Sequence, residues 1–169
     1  MRISVFVDGA NFYYMQRKLG WWIDPKKLLD FIKLKGEIVD AVYYVGVEAP
    51  PEAQQQRFLD FLGYVGFSLE TKGLKTIIQD DGSEKRKANL DIEIVLDMFN
   101  TIDNYDMAVL VSGDGDFERP LKLLKARGKK FLILSTPGFI AKELREVAGM
   151  HYIDVQSVKD QLLRDKEAD

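Results

Sequence analysis

The sequence predicts a doubly wound α/β domain, a three-layer α/β/α sandwich around a mostly parallel central sheet of Rossmann-like plan. Three observations predict it. Short apolar runs alternate with amphipathic stretches along the chain. Those runs are apolar at successive positions, the sign of strands buried on both faces. No linker, repeat or low-complexity tract interrupts them, so the 169 residues read as one domain, 1–160, followed by a charged tail at 161–169.

Each element has a local cause. Ile3-Ser4-Val5-Phe6-Val7 is the first strand, stopped by Asp8-Gly9. Residues 11–19 follow as a helix closed by Gly20. Asp24-Pro25 starts the next helix, with Asp24 as N-cap and Pro25 at the first helical position, and Gly36 stops it. Residues 38–47, rich in Val and Tyr, are a strand. Pro50-Pro51 opens an amphipathic helix with Phe58, Leu59, Leu62 and Val65 on its buried face. Residues 67–69 and 76–78 are short strand-like pieces, and 80–87 is a charged loop containing Asp81-Gly82. A helix at 90–102, a strand at 107–111, a helix at 117–127 and a strand at 131–134 come next. The chain closes with a helix at 139–148, a strand at 152–155 and a terminal helix from 158.

Composition narrows the function. With no cysteine, a disulfide scaffold and thiolate zinc or iron–sulfur sites are excluded, and a reducing cytoplasm is the expected location. The first apolar run breaks at Asp8, too early for a signal peptide, and no run approaches the ~20 apolar residues of a membrane span. A net charge of −3 argues against a dedicated non-specific nucleic-acid binder and leaves nucleic acid open as a substrate.

Ligands in open parallel sheets bind beyond the carboxyl ends of the strands. The first strand ends there in Val7-Asp8-Gly9-Ala10-Asn11, and the strand at 107–111 ends in Ser112-Gly113-Asp114-Gly115-Asp116-Phe117. Two strands thus deliver carboxylates to one edge. Aspartates beside glycines also serve as turn and cap residues, so Asp116 can equally cap the helix at Phe117. The helix at 90–102 adds a third source. At about 100° per residue, Leu90, Ile92, Ile94, Val95, Leu96, Met98 and Phe99 form a broad apolar arc with Asp91 near its middle. An ionised Asp on a buried face is expensive unless paired, capping or metal-bound. Asp97 falls on the polar border and reads more readily than Asp91 as a solvated surface charge, with support of the ligands from behind as the alternative. Four carboxylates suit Mg²⁺ or Mn²⁺, which can polarise a phosphodiester and lower the pKa of a water.

Around this cluster, Lys85, Arg86 and Lys87 are candidates to grip phosphates, against the commoner reading of a solvated loop; Lys87 is also a candidate ion-pair partner for Asp91. Ser135-Thr136-Pro137-Gly138 offers amides and hydroxyls to a phosphate or caps a helix. Tyr13, Tyr14, Trp21 and Trp22 read as core more readily than as base-stacking platforms, and His151 reads as a surface residue.

These motifs, in this order, resemble the NYN domain. The resemblance rests on Val7-Asp8-Gly9-Ala10-Asn11, Lys87 with Asp91 and Asp97, and Tyr105-Asp106 leading into Leu110 to Phe117. It is closest to the LabA-like branch of the PIN-like nuclease superfamily. It implies a PIN-like sandwich, metal-dependent cleavage of RNA, and an acidic cluster of Asp8, Asp91, Asp114 and Asp116. Asn11 would orient a ligand or cap the first helix, Ser112 would sit at the rim, and Lys87 and Arg86 would steer RNA. Ala88-Asn89-Leu90 stands where a glycine is common. The readings kept beside it are a non-catalytic metal- or RNA-binding module, with a second copy or a protein as partner, and a structural calcium site. Haloacid-dehalogenase, phospho-receiver and Gly-rich phosphate-loop patterns are absent.

Overall fold

Six parallel strands form the central sheet of the computed structural model, which describes residues 1–166; the last residues of the expected tail, 167–169, lie outside it. The strands are β1 (Arg2–Asp8), β2 (Glu37–Val47), β3 (Ser68–Gly73), β6 (Met107–Val111), β7 (Lys130–Ser135) and β8 (Tyr152–Asp154), in the order β3-β2-β1-β6-β7-β8. A separate antiparallel hairpin joins β4 (Lys75–Ile78) to β5 (Glu84–Lys87). The helices are α1 (Gly9–Leu19), α2 (Pro25–Lys33), α3 (Ala53–Val65), α4 (Asp91–Asn100), α5 (Glu118–Ala126), α6 (Lys142–Ala148) and α7 (Lys159–Leu162).

The sheet has a core on each face because side chains alternate along its strands. Ile3, Val5 and Val7 of β1 point to one side with Phe12, Met15, Leu28, Ile32, Leu62 and Leu162, beneath α1, α2, α3 and α7. Phe6 points to the other with Tyr44, Ile94, Met98, Leu121 and Leu144, beneath α4, α5 and α6. This is the expected three-layer sandwich.

From β1 the chain builds outward through β2 and β3, then returns to place β6 on the other flank of β1. That reversal leaves a crevice at the carboxyl ends of β1 and β6. Helices α1 and α4 start at that edge. Asp8 caps α1, and Asp91 is the first residue of α4.

Five expectations change. Residues 84–87, expected as loop, are β5, a strand held by pairing with β4 and not by burial. The expected helix at 139–148 starts only at Lys142, because the amides of Phe139 and Ile140 bond Thr136 O and that of Ala141 bonds Gly113 O. Phe58 is not sealed: it is 40% exposed and packs edge-on to the buried Tyr43, while α3 buries Leu59 and Leu62. In α4 the apolar arc is wider than the buried face: Ile94 and Met98 are sealed, while Ile92 and Leu96 are 72% and 62% exposed. The expected boundary at 160 falls inside α7, whose Leu162 is buried and accepts the Asp24 amide at 2.9 Å.

Candidate metal centre

Asp8 ends β1 in register with Tyr44 of β2, only 8% exposed. Gly9 follows it because α1 leaves the sheet against the β2 backbone; a Cβ there would lie 2.3 Å from the Tyr44 carbonyl oxygen. Asp8 Oδ1 accepts the Asn11 amide at 3.3 Å, which caps α1, and Oδ2 accepts the Ser112 hydroxyl at 3.0 Å.

Ser112 and Asn11 lace the two strand ends together. The Asp114 amide donates to Ser112 Oγ at 3.1 Å, and the Gly113 amide donates to Asn11 Oδ1 at 2.8 Å. Asp114 Oδ1 in turn accepts the Asp116 amide at 2.9 Å, capping a short 3-10 turn at Gly115–Phe117. Asp91 enters from α4, its amide held by Asn89 Oδ1 at 2.8 Å.

Asp8, Asp91 and Asp114 thereby converge, each offering a carboxylate oxygen within 4.8 Å of the others. Among the described residues no Lys or Arg makes an ion pair with any of the three. The electrostatics register that crowding. Asp91 is pushed up to about 7, by burial first, then by the charges of Asp8 and Asp114, a hydrogen bond with Asp114, and the charge of Asp116. Burial also raises Asp8, against the lowering effect of its bonds from Asn11 and Ser112. An all-oxygen, uncompensated donor set of this kind fits a hard divalent cation. A bound cation would offset the burial and the crowded charge that raise Asp91.

The remaining expected residues are placed as follows. Asp116 stays exposed outside the group of three, though its charge reaches Asp91. Ser112 lies beneath the carboxylates at 1% exposure, not at the rim, because both its bonds run to Asp8 and Asp114. Asn11 braces the Gly113 amide; the cap of α1 is Asp8. Asp97 stands apart and accepts the Tyr44 hydroxyl at 2.7 Å, tying α4 to β2. Arg86 is bound to Glu48 at 2.7 Å, and no ion pair among the described residues joins Lys87 to Asp91. In the adjoining motif, Tyr105 is a buried donor to Met98 O and Asp106 pairs with Arg2. Just after the Ser135–Gly138 turn the amides of Phe139 to Ala141 bond backbone carbonyls, and within it Thr136 Oγ1 donates to Asp154. Trp21 is core as expected, whereas Trp22, Tyr13 and Tyr14 are exposed. His151 is exposed and packs edge-on to Phe131.

One neighbour had no sequence signal. Glu143 of α6 lays its carboxylate where a side chain at position 115 would be, 2.1 Å from an ideal Cβ built on Gly115. It brings a further acid to the loop that carries Asp114 and Asp116, and only the packing of α6 against that loop reveals it.

A doubly wound sheet with an acidic centre at its switch point defines the class. The chain belongs to the NYN domain family, matched over residues 2–156. It is a LabA-like member: it is 42% identical over 162 residues to the low amplitude and bright protein LabA of Synechococcus elongatus, covering 94% of this chain and 86% of that protein. It also superposes on the crystal structure of a protein of unknown function from Vibrio parahaemolyticus with a TM-score of 0.77, at 27% identity and 96% coverage of both chains. NYN domains belong to the PIN-like nuclease superfamily, whose members generally use divalent metals. No helix among the described residues is long and apolar enough to cross a membrane.

Proposed function

We propose that this domain is a Mg²⁺- or Mn²⁺-dependent ribonuclease. The observation that carries the reading is the convergence of Asp8, Asp91 and Asp114 from three separate elements, with no cation of the protein paired to them among the described residues. Those three would hold the metal, and Asp116 would add charge at the open side. A bound divalent ion supplies Lewis-acid polarisation of a phosphoryl oxygen and makes a water more acidic. The chain supplies the rest. Asn11 and Ser112 fix the angle between the two carboxylate-bearing loops, so the donor set is preorganised. Gly113 and Gly115 let those loops pack closely, against Ser135 and Ile140 and against Glu143. Lys87, which makes no ion pair among the described residues, steers the RNA backbone.

The test is cleavage of labelled RNA and DNA with Mn²⁺, with Mg²⁺ and with chelator, by wild type, Asp8→Asn and Asp114→Asn. Metal-dependent RNA cleavage lost in both variants supports the assignment. Undiminished cleavage in the variants would sink it. A folded wild type that binds metal and cuts nothing would make the domain a non-catalytic metal- or RNA-binding module.

A further inference from the structure

The β4–β5 hairpin buries nothing in either core: every residue of its two strands is exposed. Its sequence must therefore answer to something other than packing. Residues paired across an antiparallel ladder project from the same face. One face carries Thr76 with Arg86 and Ile78 with Glu84, and there Arg86 is neutralised by Glu48. The opposite face carries Lys75 with Lys87 and Ile77 with Lys85. Three lysines share it with no acid between them.

This arrangement is unfavourable in the isolated protein. Lys75 and Lys87 stand directly opposite one another, and like charges so placed repel. Among the described residues the ammonium group of none of the three makes an ion pair or a side-chain hydrogen bond. Other exposed lysines do find partners, as in Lys26–Asp30, Lys72–Glu93 and Lys122–Glu118. Nor is the cluster a by-product of composition, since the chain is acidic overall.

Position gives the face its use. The hairpin is rooted at the carboxyl end of β2, where Leu74 and Ala88 close on Gly46 so tightly that a Cβ there would lie 2.7 Å and 2.8 Å from their side chains. Gly46 lies just past Tyr44, the register partner of Asp8. After Lys87 the chain runs directly into Asp91, and Lys72 pins that connection by donating to Asn89 O at 3.2 Å. The arm thus springs from the edge that holds the carboxylates. A polyanion approaching that edge meets uncompensated negative charge, and the lysine face is a rooted counterweight to it.

We propose that Lys75, Lys85 and Lys87 form a clamp for the phosphate backbone of single-stranded RNA lying across the carboxylate centre, while Arg86 is structural. The proposal rests on the ribonuclease reading of that centre. Contacts of this kind are sequence-independent and salt-sensitive, each contributing about 0.7 to the slope of log affinity against log salt for a single strand.

The test is fluorescence anisotropy with a labelled single-stranded RNA in chelator, across a KCl series. Wild type is compared with Arg86→Gln and with the triple variant Lys75→Gln, Lys85→Gln, Lys87→Gln. The triple variant should lower the magnitude of the slope by about 2, and each single lysine variant by about 0.7, with melting temperatures no lower than that of wild type. Arg86→Gln should leave the slope alone. An unchanged slope in the lysine variants, an equal effect of Arg86→Gln, or no RNA binding by wild type would each overturn the clamp. Cleavage is scored separately. RNA cut with an unaltered slope removes the clamp and keeps the nuclease; a lysine-dependent slope without cutting does the reverse.

Discussion

Ser112 Oγ donates to Asp8 Oδ2 across the gap between β6 and β1, and the same hydroxyl accepts the Asp114 amide. One buried side chain thus sets two of the three converging carboxylates. Ser112→Ala should weaken Mn²⁺ binding by roughly 10- to 100-fold, as expected when a group that orients metal ligands is removed. Titration calorimetry with Mn²⁺ reads it. An affinity equal to wild type would show that the backbone alone orients Asp8 and Asp114.

Asp91 sets a pH dependence. Its ordinary value is 3.8 and the folded protein holds it at about 7, so the folded state binds the proton more tightly than the unfolded one. The associated stabilisation of the metal-free domain is fully present below pH 3.8 and is lost as pH rises through about 7. For a half-buried carboxyl, solvent screening limits it to on the order of 1–2 kcal/mol. Urea titrations in chelator at pH 5.5 and pH 8 should show the loss, and Asp91→Asn should abolish it. Metal affinity should run the opposite way, rising by up to about tenfold per pH unit below 7, because the ion displaces that proton.

Asp114→Asn removes one of three crowded charges. The metal-free variant should melt a few degrees higher than wild type, because the repulsion falls while the bond from the Asp116 amide survives. The same variant should lose most of the stabilisation that Mn²⁺ gives wild type. Differential scanning calorimetry with and without Mn²⁺ checks both; a metal-free melting temperature below wild type would mean that Asp114 holds the loop more than it strains the site.

Gly9→Ala pushes a methyl group into the Tyr44 carbonyl, a backbone atom that cannot swing away. It should destabilise the domain by about 2–3 kcal/mol or more in urea unfolding. Gly115→Ala meets only the flexible end of Glu143, so it should shift stability by less than about 1 kcal/mol.

The sequence is most readable where burial and chemistry coincide. Strand β6 is apolar at every position and its ends match expectation to the residue, because a strand sealed on both faces tolerates nothing else. Asp8 and Asp114 are readable for a related reason: a carboxylate directly after such a strand is carried to the crevice. Strand β5 is not, because Glu84-Lys85-Arg86-Lys87 has no apolar residue and forms only by pairing. The start of α6 depends on the Gly113 carbonyl capturing the Ala141 amide, a partner brought in by the fold. Glu143 and the buried setting of Ser112 were hidden likewise, since their neighbours come from distant parts of the chain.

The adjacency of β1 and β6 has a consequence for biosynthesis. Asp8 leaves the ribosome 104 residues ahead of the serine that holds it, and the strand that pairs beside it comes only just before that serine, with Asp114 after it. A nascent chain that has not yet released Ser112-Gly113-Asp114 can hold only fragments of the centre. Whatever chemistry the three aspartates carry is therefore silent until β6 has emerged and paired with β1.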